Sequence, residues 1–295
     1  MTSSLPALIA LKFIQRRDVK AIQFDNGDYV PDFRMKDKSR HGEGFKKSHL
    51  DAHLEGRETY GHYLIDANDK CRIFCLDVDL EKSKYDSEGN VEEHGGSYVK
   101  LPDMANVPPQ MDPNQEELWF KENTEVVDCD PRLAWSDRRN VAARSWYKYQ
   151  MKMIGSRLAS VITKQMNTPC VVTYSGNKGI HVYGLMGESR SIDCHRGAMI
   201  ALRKSGEWEL YKGKNFYRHI NQDPIMGYPS FSIETFPKQD SLAGKDLGNL
   251  LRLPLGKNLK NPKDPTFFLN LNGRMGDFAP HPNPIQLLES GDPFQ

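Results

Sequence analysis

Cys71-Arg72-Ile73-Phe74-Cys75-Leu76-Asp77-Val78-Asp79-Leu80 is a short apolar run with β-branched and aromatic residues that carries two carboxylates near its end. Its length and composition read as a buried strand. Side chains alternate faces along a strand, so Asp77 and Asp79 share one face while Val78 points into the core. Two carboxylates roughly 7 Å apart by strand rise repel each other unless a cation lies between them. Hard oxygen donors of this kind suit Mg²⁺ or Mn²⁺, which keep water and take phosphate oxygens as further ligands. A bare Asp-x-Asp is more often a solvated strand end, so the pair alone assigns nothing.

A second string changes the balance: Tyr174-Ser175-Gly176-Asn177-Lys178-Gly179-Ile180-His181-Val182. Val171-Val172-Thr173-Tyr174 and Ile180-His181-Val182-Tyr183 are strand-like runs, and Ser175 to Gly179 is turn chemistry between them. Gly176 and Gly179 allow positive φ and close backbone approach, so the turn amides can form an anion-binding nest. Lys178 adds a point charge, Ser175 a hydroxyl donor, and His181 returns near the mouth of the turn, able to donate to a phosphate oxygen. The plain alternative, a hairpin with an exposed lysine and a surface histidine, leaves that succession of Ser, Lys and His unexplained.

These motifs resemble the archaeo-eukaryotic primase superfamily of primase-polymerases, whose members carry in order a DxD motif, an SxxKGxH-like hairpin and a third acidic position after a hydrophobic residue. Here they match Asp77 and Asp79, then Ser175, Lys178, Gly179 and His181, then Glu234 in Phe231-Ser232-Ile233-Glu234-Thr235-Phe236-Pro237-Lys238-Gln239. The chain is most similar to the branch found in CRISPR-associated, phage and mobile-element conflict systems. That branch has a similar Glu-x-Phe-Pro-Lys-Gln stretch and a following segment like Gly248-Asn249-Leu250-Leu251-Arg252-Leu253-Pro254-Leu255-Gly256. Phe13 to Ala21, His53-Leu54-Glu55-Gly56 and Gly61-His62-Tyr63 also look like it. The likeness spans residues 10 to 258 with a gap between 81 and 130. Two departures stand out: the third acid is Glu where Asp is commoner, and no cysteine cluster flanks the hairpin.

The resemblance implies an α+β fold, an RRM-like catalytic sheet joined to an N-terminal α/β module with the site in the cleft between them. It implies Asp77, Asp79 and Glu234 as catalytic ligands of two Mg²⁺ or Mn²⁺ ions, with no zinc. Ser175, Gly176, Lys178, Gly179 and His181 would bind nucleotide, with Lys238 and Arg252 as further candidates for the triphosphate or template backbone. His62 and Tyr63 read either as stacking residues for a base or sugar or as ordinary hairpin aromatics. The implied activity is primer extension, with initiation left open, by a DNA primase-polymerase acting on a DNA template-primer and nucleoside triphosphates. Two rivals are an end-joining repair polymerase of the same fold and a non-catalytic nucleic-acid-binding subunit.

Composition agrees with this without suggesting it. A chain of 295 residues, 38% hydrophobic and 27% charged, is long enough for a real core and reads as soluble and globular. No apolar run approaches a membrane span, and Leu5 to Leu11 lacks the basic flank of a signal peptide, so no membrane partner and a cytoplasmic address in a prokaryotic or phage-infected cell are expected. The five cysteines include no CxxC pair, which indicates neither a disulfide framework nor a zinc ribbon. Cys71 and Cys75 read as core filler, and Asp193-Cys194-His195 as a polar loop.

The net charge of +1 hides a segregation, because residues 81–130 hold thirteen acids against four bases. This stretch is rich in Gly, Pro and Asn, from Asp86-Ser87-Glu88-Gly89-Asn90 to Met111-Asp112-Pro113-Asn114, and reads as a long insertion with little core contribution. Residues 137–165 follow with helix-forming composition. Their bases Arg138, Arg139, Arg144, Lys148, Lys152, Arg157 and Lys164 face the single acid Asp137. The first five are candidate nucleic-acid contacts, against the alternative of a solvated helix face. Residues 1–258 read as the catalytic domain of two packed modules. Residues 259–295, with six prolines, read as a wrapping tail or as a linker to a further C-terminal domain such as a helicase.

Overall fold

The computed structural model describes residues 4–32, 44–82, 84–85, 91–93, 96–101, 113–272 and 277–294. In chain order the elements begin with α1 (Leu5–Phe13), β1 (Ala21–Gln23), β2 (Tyr29–Pro31), α2 (Lys47–Leu54), β3 (Tyr60–Tyr63) and β4 (Lys70–Leu80). Next come β5 (Lys84–Tyr85), β6 (Val91–Glu93), β7 (Ser97–Lys100), α3 (Pro113–Asn123), β8 (Glu125–Asp128), α4 (Pro131–Ser136) and α5 (Val141–Gln165). The hairpin β9 (Cys170–Tyr174) and β10 (Gly179–Arg190) leads to α6 (Ser191–Lys204), β11 (Trp208–Lys212) and β12 (Phe216–His219). β13 (Phe231–Phe236), β14 (Leu250–Arg252), β15 (Phe267–Phe268) and α7 (Pro284–Ser290) complete the described chain.

Every strand pairing among the described residues is antiparallel, and helices interleave with strands, so the fold is α+β. A seven-stranded sheet runs β11-β12-β13-β4-β10-β9-β15, and a four-stranded sheet runs β14-β3-β1-β2. The pairs β5-β6 and β7-β8 stand apart.

The Asp77 strand, β4, is central because its two faces feed two different cores. Phe74, Leu76, Val78 and Leu80 enter the core under α5 and α6, with Trp146, Tyr147, Ile154 and Leu158. Ile73 and Cys75 enter the other, with Leu8, Ile9 and Phe13 of α1 and Leu287 and Leu288 of α7. Each such side chain contributes roughly 1.5–3 kcal/mol on burial. Past Cys75 that second row changes from apolar to acidic, at Asp77 and Asp79. The apolar core therefore ends where the candidate site begins.

α5 starts at Val141, not at Asp137, because the Asn140 side chain accepts the Ala143 N–H and caps it. Arg138 and Arg139 consequently precede the helix. The expectation that residues 81–130 contribute little to the core is corrected at β7. Val99 is fully buried in the main core, and Ser97 O accepts from Tyr147 Oη at 3.0 Å and Ser230 Oγ at 3.2 Å. Asp86 to Asn90 and Met111-Asp112 lie outside the described residues, whereas Pro113 and Asn114 open α3.

Residues 259–272 and 277–294 wrap the fold. Phe267 pairs with Tyr174, Leu269 N donates to Val172 O at 2.8 Å, and Gly291 O accepts the Cys170 N–H at 2.7 Å. Cys71 and Cys75 are buried core residues, as read from the sequence, whereas Asp193-Cys194-His195 lies in α6 and not in a loop; Cys194 sits against Cys71 across a separation of 123 residues, which no spacing rule signals. Cys75 and Cys170 are buried free thiols. No helix among the described residues is long and apolar enough to cross a membrane.

Candidate functional site

Strand register brings the acidic motifs together. β13 flanks β4 on one side and sets Glu234 opposite Asp77 and Ser232 opposite Asp79. β10 flanks it on the other and sets His181 opposite Asp77 and Gly179 opposite Asp79. Directly paired residues of antiparallel strands share a face. Glu234, Asp77 and His181 therefore form one row across three strands, with Ser232, Asp79 and Gly179 beside it.

Crowding of like charge shapes the electrostatics. Burial, then the Asp79 charge, pushes the Asp77 carboxyl well above its ordinary range; Glu234 adds to this while Lys178 and Arg252 oppose it. The Lys178 ammonium is ion-paired with Asp79, and Lys238 Nζ lies 2.5 Å from Glu234 Oε1. Asp77 meets His181 instead, Nε2 to Oδ1 at 3.4 Å. Burial, then the charges of Arg252 and Lys178, lowers His181 to about 3, so its imidazole is neutral at pH 7. Its Nδ1 lies 2.9 Å from the Tyr183 hydroxyl, whose proton is retained because burial raises the phenol's pKa. A neutral ring donates at one nitrogen and accepts at the other. With Tyr183 donating to Nδ1, the Nε2–H points toward the acidic row.

The turn between β9 and β10 is fixed by two different glycine requirements. Gly176 has φ +71°, which favours glycine. Gly179 has ordinary φ, but a Cβ there would lie 2.1 Å from Val78 O and 2.4 Å from Asp79 Oδ1. Its role is to let the hairpin close onto the acidic strand. Ser175 is buried, and its N–H donates to Gly179 O at 3.0 Å. Arg252, from the four-stranded sheet, donates to the Ser175 carbonyl and so joins the two sheets at the turn.

Asp77, Asp79, Glu234, Ser175, Gly176, Lys178, Gly179, His181, Lys238 and Arg252 are thus gathered in one region. Among the described residues no group of three or more His, Cys, Asp or Glu side chains is arranged to hold a metal ion. Asp79 and Glu234 instead face the ammonium groups of Lys178 and Lys238. The donor set itself, three carboxylates on neighbouring strands, is of the hard-oxygen kind that Mg²⁺ and Mn²⁺ take.

The other candidates are dispersed or engaged inside the fold. Arg138 Nη2 reaches Asp264 Oδ1 at 3.1 Å and Asn261 Oδ1 at 3.0 Å. Arg144 donates to Trp135 O at 2.8 Å, stacks 4.3 Å from the Trp135 ring and lies 3.5 Å from Asp264. Lys152 is 3% exposed and donates to Asp277 O at 3.0 Å, so it is no part of a solvent face. Burial, then the Arg144 charge, lowers Lys148. Arg139 is exposed, paired with Asp137 at 3.2 Å. His62 and Tyr63 are buried in the smaller module, which removes them as stacking platforms.

Sequence reasoning missed Tyr183, although period-two alternation from His181 would have found it. It also missed Asn258, whose Nδ2 donates to the Ser175 carbonyl at 3.3 Å and which carries no local signal. Compared with known proteins, the chain matches no family model and no curated protein.

Proposed function

We propose that the chain is a template-directed nucleotidyltransferase of the primase-polymerase kind, extending a primer on a DNA template with nucleoside triphosphates. The observation that carries this reading is the convergence of Asp77, Asp79 and Glu234 with the Ser175–His181 hairpin on one face of the large sheet. The RRM-like description of that sheet is part of the proposal.

In this reading Asp77, Asp79 and Glu234 hold two Mg²⁺ or Mn²⁺ ions. Such ions, when bound, neutralise the transferring phosphoryl group and orient the attacking and leaving oxygens. The chain's own residues then have separable tasks. The turn amides, Ser175 and Lys178 take the outer phosphates, and His181 donates from Nε2 without carrying charge. Lys238, on the Glu234 side, and Arg252, on the turn side, add positive potential at opposite ends of the row. The row is half-buried, which lowers the dielectric around these interactions and makes each worth more than in bulk water.

The test is incorporation of a labelled nucleotide on a primed DNA template with Mg²⁺ or Mn²⁺, comparing wild type with the double variant Asp77→Ala, Asp79→Ala. Incorporation by wild type and its loss in a folded variant is the expected result. Residual polymerisation near wild type in the variant overturns the assignment. Template binding with no incorporation by wild type indicates a non-catalytic binding subunit.

A further inference from the structure

We infer that residues 258–266 brace the β9–β10 turn, with Asn258 and Asp264 as positioning residues for a triphosphate-bearing ligand; this rests on the proposed function. An anion is held by backbone amides and repelled by carbonyl oxygens, so a turn that grips phosphates needs its carbonyls held elsewhere. Four carbonyls of this turn are held. Gly179 O accepts from Ser175 N at 3.0 Å, Lys178 O from Leu80 N at 3.2 Å, and Asn177 O from Tyr174 Oη at 2.8 Å. These three donors come from the hairpin and its neighbouring strand. The Ser175 carbonyl is different, because its donors, Arg252 and Asn258, come from remote segments.

Asn258 is itself fixed. Its Oδ1 accepts the Lys260 N–H at 3.2 Å, its carbonyl accepts the Asn261 N–H at 3.0 Å, and its side chain is buried. Asn261 Nδ2 then donates to Asp264 Oδ2 at 2.6 Å, and Asp264 receives Arg138, which precedes α5, and Arg144 from its first turns. The segment lies directly on the turn, since a Cβ on Gly176 would lie 2.7 Å from Thr266 Cγ2 and 3.2 Å from Asp264 O. Arg138 and Arg144 accordingly act through Asp264 on the turn. The frame of α5 and the conformation of the turn are coupled through one carboxylate.

The test uses the full chain and inorganic tripolyphosphate as the probe. Asn258→Asp keeps shape and the acceptor oxygen but removes the Nδ2 donor; Asp264→Asn keeps shape and removes the charge that holds the arginines. Amide hydrogen exchange is read for residues 175–179, tripolyphosphate affinity by calorimetry, and folding by melting. For Asn258→Asp, exchange in the turn should rise about tenfold, the effect of one lost hydrogen bond, and the tripolyphosphate Kd by at least as much because the new carboxylate also repels the anion, with exchange in β4 and β13 unchanged. Asp264→Asn should move both readouts the same way by less. If wild type binds tripolyphosphate and both folded variants bind it equally, or if turn exchange does not change, the brace is wrong while the functional reading stands. If wild type binds no tripolyphosphate, the functional reading fails at the turn and the inference fails with it. Should Asn258→Asp melt below the working temperature, Asn258→Ala takes its place under the same criteria.

Discussion

Replacing Asp77 with Asn should make the protein more stable without divalent metal and less stable with it. Burial first, then the charge of Asp79 on the same face and that of Glu234 opposite, raise the Asp77 pKa. A like charge directly opposite, here Glu234, costs roughly 0.2–1 kcal/mol; burial and Asp79 on the same strand add to it while Lys178 and Arg252 offset part, so we take a net cost of about 1 kcal/mol. Removing it should raise Tm in chelating buffer by about 2 °C for a chain of this size. Asn keeps the acceptor oxygen for His181, so no compensating loss is expected there. With Mn²⁺ at a hundred times its Kd, wild type should gain about 2.7 kcal/mol. The variant, lacking one of three carboxylates, should gain less than half of that, and the two melting curves change order.

A pH series sharpens the test. The folded state holds the Asp77 proton more tightly than the unfolded chain does. Metal-free stability from this group is therefore full below the unfolded carboxyl range and declines as pH rises through the raised folded value. The variant lacks that decline. A lower Tm for Asp77→Asn in chelating buffer, or an equal metal-induced shift in both proteins, would refute the idea that the three acids form one crowded cation-seeking set.

His181→Ala should raise the nucleotide KM by roughly 10- to 150-fold, the range for a hydrogen bond to a charged group; a loss of primer-template affinity instead would make the hairpin a DNA-binding element. Burial is the first cause lowering His53 to about 4 and His62 and His181 to about 3. All three have folded pKa values depressed below the unfolded value, so stability is full above about pH 6.5 and falls below it, by up to ~1.4 kcal/mol per pH unit per histidine. His62→Leu should flatten this acid limb in urea titrations at pH 7.5, 5.5 and 4.5, and an unchanged slope would discount His62. Val99→Ala should cost about 1–3 kcal/mol because it empties a fully buried site under α5, whereas an unchanged urea midpoint would return β7 to the status of a surface insertion.

The paired acids and the hairpin were legible because strand periodicity is local. Alternation alone puts Asp77 and Asp79 on one face, and glycine-rich turn chemistry marks Ser175 to Gly179. That Glu234 joins them depends on β13 pairing with β4, a register no single segment encodes; only resemblance pointed to it. The basic run after residue 137 was legible as charge but not as surface. Long cationic side chains can lie along apolar walls and end in internal carbonyls and carboxylates, as Lys152 and Arg144 do. The proline-rich end concealed β15 because a two-residue strand has no period to detect. The Cys71–Cys194 pairing was invisible for a related reason, since it depends on where α6 crosses β4.

The central placement of β4 also has a consequence for how the molecule comes into being. The acidic row exists only when β4 has a partner on each side, and the second partner, β13, is made long after the first acids have been synthesised. Contacts of such sequence separation close late and slowly. Until then Asp77 and Asp79 belong to a strand with an open edge and only two of the three proposed acidic ligands. On the proposed function, the ability to hold a divalent ion should therefore appear only with the final stages of folding. In refolding experiments, the rate at which Mn²⁺ becomes bound would time the closure of the sheet more directly than the recovery of helical signal from α5.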